Sequence, residues 1–434
     1  VRLLALLAAL VAATVVPNAP PGIGVTAVAA LIGAAAWTQA RRTTDLYVFG
    51  GLAVALALAP AVLDAQWVVW TDLLAAWVCA SVAVGGPRLR AISAPAWSVP
   101  RLPALLPHSS SRAVPVLRAV AIATVIAIPF AALFLTADAA FAAMADSAPR
   151  PELGSLPHRA AVFGLVLVAA SALALAAAAP PRAVGQPPKS RLALLEWAVP
   201  LALLDLLFLA FVAVQLRVLF GGDDYVVRTT GLTYSEYARQ GFWQLLAAGA
   251  LTLLVVKGAA RFARPLTTRE RLLRDVLAGA LCALTVVVVA SALHRLRLYE
   301  DAYGLTRPRL AAEAFSLWLA GTFMLVVALG AFRRAAAFTR LALVWSAAAV
   351  VAFSAANPDA RIAERNLARW QDTGRIDTDY LSTLSADAVP ALERLPASLR
   401  AEALDPIDHR MSSGEPWTSL NWSRARARSL LADD

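Results

Sequence analysis

Lysine is almost missing from this chain: of 39 basic residues in 434, only Lys189 and Lys257 are not arginine. Charge of any kind is scarce, at 16% against the quarter or so found in soluble domains, while 59% of residues are hydrophobic. That balance excludes an ordinary water-soluble fold. Cysteine is limited to Cys79 and Cys282, both inside apolar runs, which excludes a disulfide framework and leaves two small buried hydrophobes. The four histidines (His108, His158, His294 and His409) are scattered without zinc spacing, so no metal site is expected. No P-loop, GxSxG, HExxH or dinucleotide fingerprint occurs, and no cofactor is expected. Nor is there an internal repeat or a matched pair of broken helices of the kind many transporters carry. Arginine and alanine in place of lysine point to a GC-rich bacterial genome.

What the chain has instead is a series of long apolar runs. A helix needs about 20 apolar residues to cross a bilayer. Runs at 3–16, 23–40, 46–63, 67–84, 116–135, 159–179, 192–219, 238–256, 275–293, 311–330 and 341–355 give about eleven spans, within a range of ten to twelve. The first is short and reads equally as a signal peptide. The fold class expected is therefore all-α: a polytopic transmembrane helical bundle over 1–356, followed by a small helical extracytoplasmic region over 357–434. Basic residues alternate between the gaps. With the N-terminus inside, twenty fall on the cytoplasmic side and nine on the other, the tail excluded. The positive-inside rule then places the N-terminus in the cytoplasm and the C-terminus outside a bacterial cytoplasmic membrane. The net charge of +10 is thereby an orientation signal, and no nucleic-acid partner is expected. Trp67 and Trp243 open spans from the outside, and Trp37, Trp197 and Trp345 sit near inner ends as interfacial anchors.

The cytoplasmic stretch 85–115 carries six prolines and basic but no acidic residues. It reads as an extended linker against anionic lipid, or as a docking strip for a cytoplasmic protein. After residue 356 the composition turns polar. Asn357-Pro358-Asp359 is a helix start, with Asn357 as N-cap, and Gly374 is its stop. Short helices follow Ser385, Pro396 and Trp417. A region this small and polar is expected to pack on the outer loops rather than stand alone.

Two outer loops hold the densest chemistry. One runs from Asp223 and Asp224 to Tyr234, Glu236, Tyr237 and Arg239. Thr233 and Glu236 have capping-box spacing, so Glu236 either closes a helix end or contacts a ligand. The other, 294–309, carries Arg295, Arg297, Arg307 and Arg309 with Tyr299 and Tyr303, on the side where arginine should be scarce. It reads either as internal ion pairing or as an anion-facing cup for lipid phosphate or an envelope ligand. Within the spans Asp205 is the clearest ionisable group, with Gln215 toward the end of the same run. Asp138 sits past the outer end of the fifth span, which Pro129 interrupts.

The words Leu133-Phe-Leu-Thr-Ala-Asp-Ala-Ala-Phe141, Gln215-Leu-Arg-Val-Leu-Phe-Gly-Gly222 and Tyr234-Ser-Glu-Tyr-Ala-Arg-Gln-Gly-Phe242 occur in this order. Tyr303-Gly-Leu-Thr306, Asn357-Pro-Asp-Ala-Arg-Ile-Ala-Glu-Arg-Asn366 and Asp379-Tyr-Leu-Ser-Thr-Leu-Ser-Ala-Asp-Ala-Val-Pro-Ala391 follow. Together they resemble a bacterial family of multi-pass membrane proteins filed as a domain of unknown function, number forty-one seventy-three, with the related forty-one fifty-three. The likeness covers roughly 115–395 and departs mildly at Ala139, where the family often has proline. It implies membrane location and carries no activity. Three functional readings remain: a non-enzymatic envelope protein that senses, scaffolds or binds through its outer loops and tail; a transporter using Asp205 and Gln215; and a membrane enzyme acting on a lipid-linked substrate through Asp138, Asp223, Asp224 or Glu236. Membrane lipid is a partner in each.

Overall fold

In the computed structural model the described residues are 20–37, 43–85, isolated positions between 123 and 135, 192–230, 242–263, 267–331, 337–411 and 416–432. Every named element among them is a helix. They are α1 (Ile23–Trp37), α2 (Thr44–Ala57), α3 (Ala59–Val62), α4 (Gln66–Gly85), α5 (Leu194–Thr230), α6 (Phe242–Phe262), α7 (Thr268–Tyr303), α8 (Arg307–Ala331) and α9 (Phe338–Ala355). The tail adds α10 (Pro358–Thr373), α11 (Thr378–Ser382), α12 (Val389–Leu392), α13 (Ala397–Met411) and α14 (Trp422–Ala432), with single 3-10 turns at Ala386–Ala388 and Trp417–Ser419. Six helical segments of the described residues are long and apolar enough to cross a membrane: Thr44–Val62, Leu194–Gln215, Phe242–Phe262, Thr268–Tyr303, Arg307–Gly330 and Phe338–Ala355. The protein is thus an all-α helical membrane protein. The expected spans at 3–16 and 159–179 lie outside the described residues, as do most of 116–135 with Pro129.

The helices depart from the expected apolar runs in a consistent way. Hydropathy marks where lipid could lie, whereas the helix continues for as long as its backbone bonds and neighbours allow. So α7 has 36 residues and about 54 Å of length, well beyond a hydrocarbon core of about 30 Å. Its start is closed by a capping box: Thr267 Oγ1 accepts from Glu270 N–H at 3.2 Å and a Glu270 carboxylate oxygen accepts from Thr267 N–H at 3.4 Å. Its end carries 294–303, expected as loop, in regular helix. Likewise α5 runs for 37 residues through Gly221, Gly222, Asp223 and Asp224, which were also expected as loop. On its lipid-length portion α5 buries Leu204, Phe208 and Phe211 and exposes Leu206 and Leu209, the two-faced pattern of a helix between protein and lipid.

The chain separates into two compact units, Val1–Arg88 with Glu300–Trp318 and Thr339–Asp434, and Leu89–Tyr299 with Leu319–Phe338. In the first, the start of α1, the end of α3, the starts of α4 and α8 and the end of α9 all meet the tail. Successive helices therefore run alternately away from it and back. At the far ends Arg340, near the start of α9, pairs with Asp45, near the start of α2, at 2.7 Å. The Trp318 indole donates to Ser346 Oγ at 3.0 Å and the Trp345 indole to the Trp318 carbonyl at 3.0 Å, fastening α8 to α9.

The tail has an apolar core of its own, built on Ile362, Leu367, Leu381, Leu384, Val389, Leu392, Leu404 and Ile407. Leu305 and Leu310 of the α7–α8 junction complete it. In the second unit Phe134 stacks on Phe211 at 4.2 Å and meets Phe208 edge-on at 4.9 Å.

Candidate functional site

The polar chemistry of the first unit converges where the tail meets the helix ends. Asp359 lies in the first turn of α10 and is fully buried. Arg307, the first residue of α8, grips it with two parallel bonds, Nε to Oδ1 at 3.0 Å and Nη2 to Oδ2 at 2.5 Å. The Trp67 indole adds a bond to Oδ1 at 3.0 Å and the Ser385 N–H one to Oδ2 at 2.9 Å. Burial pushes this carboxyl up, but Arg307, Ser385 and Trp67 outweigh it and hold the group below the ordinary carboxylate range. Tyr380 Oη accepts from Arg307 N–H at 2.7 Å, satisfying a backbone donor that no helix could serve. Donors from three separate segments, at Trp67, Arg307 and Ser385, thus meet on one carboxylate.

A second node exchanges caps between the α3–α4 turn and the tail. Asp387 Oδ2 accepts from the N–H groups of Asp64 and Ala65, at 2.9 and 2.8 Å, closing the start of α4. Asp64 Oδ2 returns the bond by accepting from Ala386 N–H at 3.0 Å, on the turn that carries Asp387. Each aspartate caps the other's element across more than 320 residues of chain. Arg424 of α14 pairs with Asp64 at 2.5 Å, and Asn421 donates to the carbonyls of Pro60 and Leu63, both at 2.8 Å. Burial pushes the Asp387 carboxyl up, and the neighbouring Asp64 adds to this against the pull of Ser423, Ser385 and Ala65.

A third node reads the 304–306 junction. Asn366 behaves as a strand would: its Oδ1 accepts from Leu305 N–H at 3.1 Å and its Nδ2 donates to the Leu305 carbonyl at 2.8 Å. Gly304 has φ +80°, and a Cβ there would collide with Asn366 Oδ1. Arg369 donates to the carbonyls of Asp301 and Ala302, at 2.9 and 2.6 Å, and Arg309 to those of Tyr303 and Gly304. Gly304→Ala should therefore lower stability by about 1–3 kcal/mol. Thermal unfolding of the purified protein measures it; an unchanged midpoint would mean the junction relaxes freely. Glu300, Asp301, Arg365 and Arg369 rim a cleft of about 40 Å³ beside it, room for a water or two and far below the size of an organic-ligand pocket.

In the second unit Gln215 Oε1 accepts from Ser291 Oγ at 2.9 Å and from Arg295 Nη2 at 2.7 Å, and Arg295 is almost wholly buried. Asp205 stands near the middle of its span with both carboxylate oxygens shut from solvent and no hydrogen-bond partner among the described residues. Cys282 of α7 lies within electrostatic reach of it. Both cysteines are free and buried, as composition indicated. Among the described residues no group of three His, Cys, Asp or Glu gathers to hold a metal.

Of the expected cup, Arg307 joins Asp359, Arg295 joins Gln215, Arg297 and Tyr303 are exposed on α7, and Tyr299 is half-buried. Asp138, Tyr234, Glu236, Tyr237, Arg239 and nearly all of the 85–115 stretch lie outside the described residues. Asp223 and Asp224 fall in α5, and their side chains are likewise outside that description. Two expected roles change. Asn357 has φ 47° and makes no cap; its amide turns to Asp387 Oδ1 at 3.5 Å. Trp67 gives its indole to Asp359 and packs edge-on to Phe353, and Trp197 is buried, so neither is a lipid anchor. Sequence reading passed over Asp64, Asp359, Asp387 and Arg424 as site residues. It also passed over Asp72, a buried acid inside α4 that accepts from Ser354 Oγ at 2.7 Å. Asp72 was as visible as Asp205, being a lone acid in an apolar run.

A profile of the family described as a domain of unknown function, DUF4153, matches residues 4–395. The chain belongs to the DUF4153 family. No curated protein and no solved structure matches it. For this DUF4153 chain the geometry gives the resemblance words a physical meaning. Tyr303–Thr306, Asn357–Asn366 and Asp379–Ala391 are the three strips that supply Gly304 and Leu305, Asp359 and Asn366, and Tyr380, Ser385 and Asp387 to the nodes.

Proposed function

We propose that this DUF4153 protein is a non-enzymatic scaffold of the bacterial cell envelope, which presents its tail as a fixed platform on the extracytoplasmic face of the cytoplasmic membrane. One observation carries the reading: the carboxylates of Asp64, Asp359 and Asp387 are all engaged in fastening the tail to helix ends. Acids so fully committed to structural donors are poor candidates for proton transfer or substrate attack. Orientation follows from the arginine count, which favours the cytoplasm for the gaps opposite the tail.

The test is thiol labelling in intact cells after Asp408→Cys, an exposed tail position. A membrane-impermeant reagent should modify it without permeabilisation; labelling only after permeabilisation would reverse the orientation and end the platform reading. In the same cells Arg307→Ala combined with Asp387→Ala, which breaks two of the nodes that hold the tail, should reproduce the phenotype of deleting 357–434. A wild-type phenotype would remove the platform from the function.

Asp205, without a hydrogen-bond partner among the described residues, favours transport as a second reading. A carboxylate without a hydrogen-bond donor at mid-span is costly unless it binds a proton or a small cation. Asp205→Asn should then abolish cellular activity while leaving thermal stability within about 0.5 kcal/mol of wild type. Full activity in that variant would exclude a carrier role for the group.

A further inference from the structure

The end of the tail leaves a patch that the scaffold reading does not use. Trp417, Leu420 and Trp422 are 75, 55 and 68% exposed, on a turn and helix start otherwise tightly held. Large apolar side chains of this kind, gathered on one short stretch, seldom face water without a partner. Their position in the fold is fixed by backbone. The Ile23 N–H, at the start of α1, donates to the Leu420 carbonyl at 2.9 Å. Gly22 lies so close to Ser419 that a Cβ on it would sit 2.5 Å from the Ser419 carbonyl. Arg424 donates to the Pro21 carbonyl at 3.2 Å and to that of Ser419. From Ile23, itself 45% exposed, α1 carries no charged residue as far as Trp37, and Thr26 is its one hydroxyl. Leu420 therefore stands level with the first turn of α1, which opens the apolar run 23–40 expected from the sequence to be a span. Arg426 lies one helical turn beyond Trp422 on the same exposed face of α14.

We infer that the Trp417–Leu420–Trp422 patch is a lipid-docking surface, in which the two indoles and the leucine enter the headgroup layer beside α1 and Arg426 meets lipid phosphate. Indole suits that depth because its ring is apolar and its N–H needs a polar partner. A guanidinium one turn away reaches phosphate while its stem stays on the apolar layer. The inference rests on α1 and the tail alone and holds for either orientation of the protein.

Nitroxide labels at Leu420→Cys and Trp422→Cys, in the full chain with Cys79→Ala and Cys282→Ala, test it in vesicles of phosphatidylethanolamine and phosphatidylglycerol. Labels in the headgroup layer should collide readily with oxygen and poorly with an aqueous nickel chelate. A label at the exposed Asp408→Cys should show the opposite. Arg426→Gln should raise nickel access at 420 about fivefold, the weight of one basic residue at an anionic surface. Nickel access at 420 and 422 equal to that at 408 would place the patch in water and overturn the proposal. Protection from both reagents would show a second copy or another protein covering the patch, and would overturn it equally. An Arg426→Gln variant indistinguishable from its parent would remove phosphate from the contact.

Discussion

Arg307→Ala should lower stability by about 3–5 kcal/mol, the cost of stranding one member of a buried ion pair. The loss should exceed that of Asp359→Ala. Asp359 is wholly buried, whereas the Arg307 side chain is 31% exposed and can turn toward water when its partner is gone. Two further measurements distinguish a broken pair from lost packing. Arg307→Met with Asp359→Leu should recover much of the loss, because it removes both charges together. The pH dependence should also change sign. In the parent the Asp359 carboxyl is held below its ordinary value, so its contribution is complete above that value and fades as pH falls through the folded one. In Arg307→Ala burial is less opposed, the carboxyl binds its proton more tightly than in the unfolded chain, and stability should rise as pH is lowered toward 4. Parallel melts of parent and variant across the acid range decide this; parallel curves would show that Arg307 does not set the charge of Asp359.

Asp387→Ala should cost about 2–4 kcal/mol, since it leaves the Asp64 and Ala65 N–H groups without an acceptor at a buried helix start. Asp387→Asn keeps one acceptor oxygen and should cost less than half as much. The pH response separates this node from the first. The Asp387 carboxyl is raised in the folded protein, so the folded state holds the extra proton, and stability falls as pH climbs from the ordinary carboxylate value through the folded one. Asp387→Asn abolishes that decline. Limited trypsin digestion of the tail reads both effects, because the tail is rich in arginine. A variant as resistant as its parent would show that the exchanged caps do not hold the tail in place.

The nodes also show why the site was only partly legible. Asp359 was read as an early acid favouring a helix start, and Asp387 as part of a helix entry. Both are accurate about local structure and silent about Arg307 and Asp64, since a carboxylate of either role has the same spacing in sequence. The arginines of 294–309 were noticed because they stand on the side where arginine is scarce. They divide between two tasks, Arg307 toward the tail and Arg295 toward Gln215, and spacing could not separate these because burial of a guanidinium depends on which helix lies opposite.

What the sequence by itself determined is what hydropathy and local backbone preference determine: a membrane protein made of helices, a polar tail beginning at Asn357, and a helix break at Gly374. These follow from energies that each segment carries alone, the transfer of apolar side chains out of water and the conformational limits of glycine and proline. The tertiary structure decided how far α5 and α7 run past their apolar stretches, and which carboxylate caps which helix. It also decided that Trp67 serves a buried acid whereas Trp417 and Trp422 stand exposed. Those outcomes depend on hydrogen bonds between residues up to 403 positions apart. Such bonds exist only after apolar packing has brought the helix ends together.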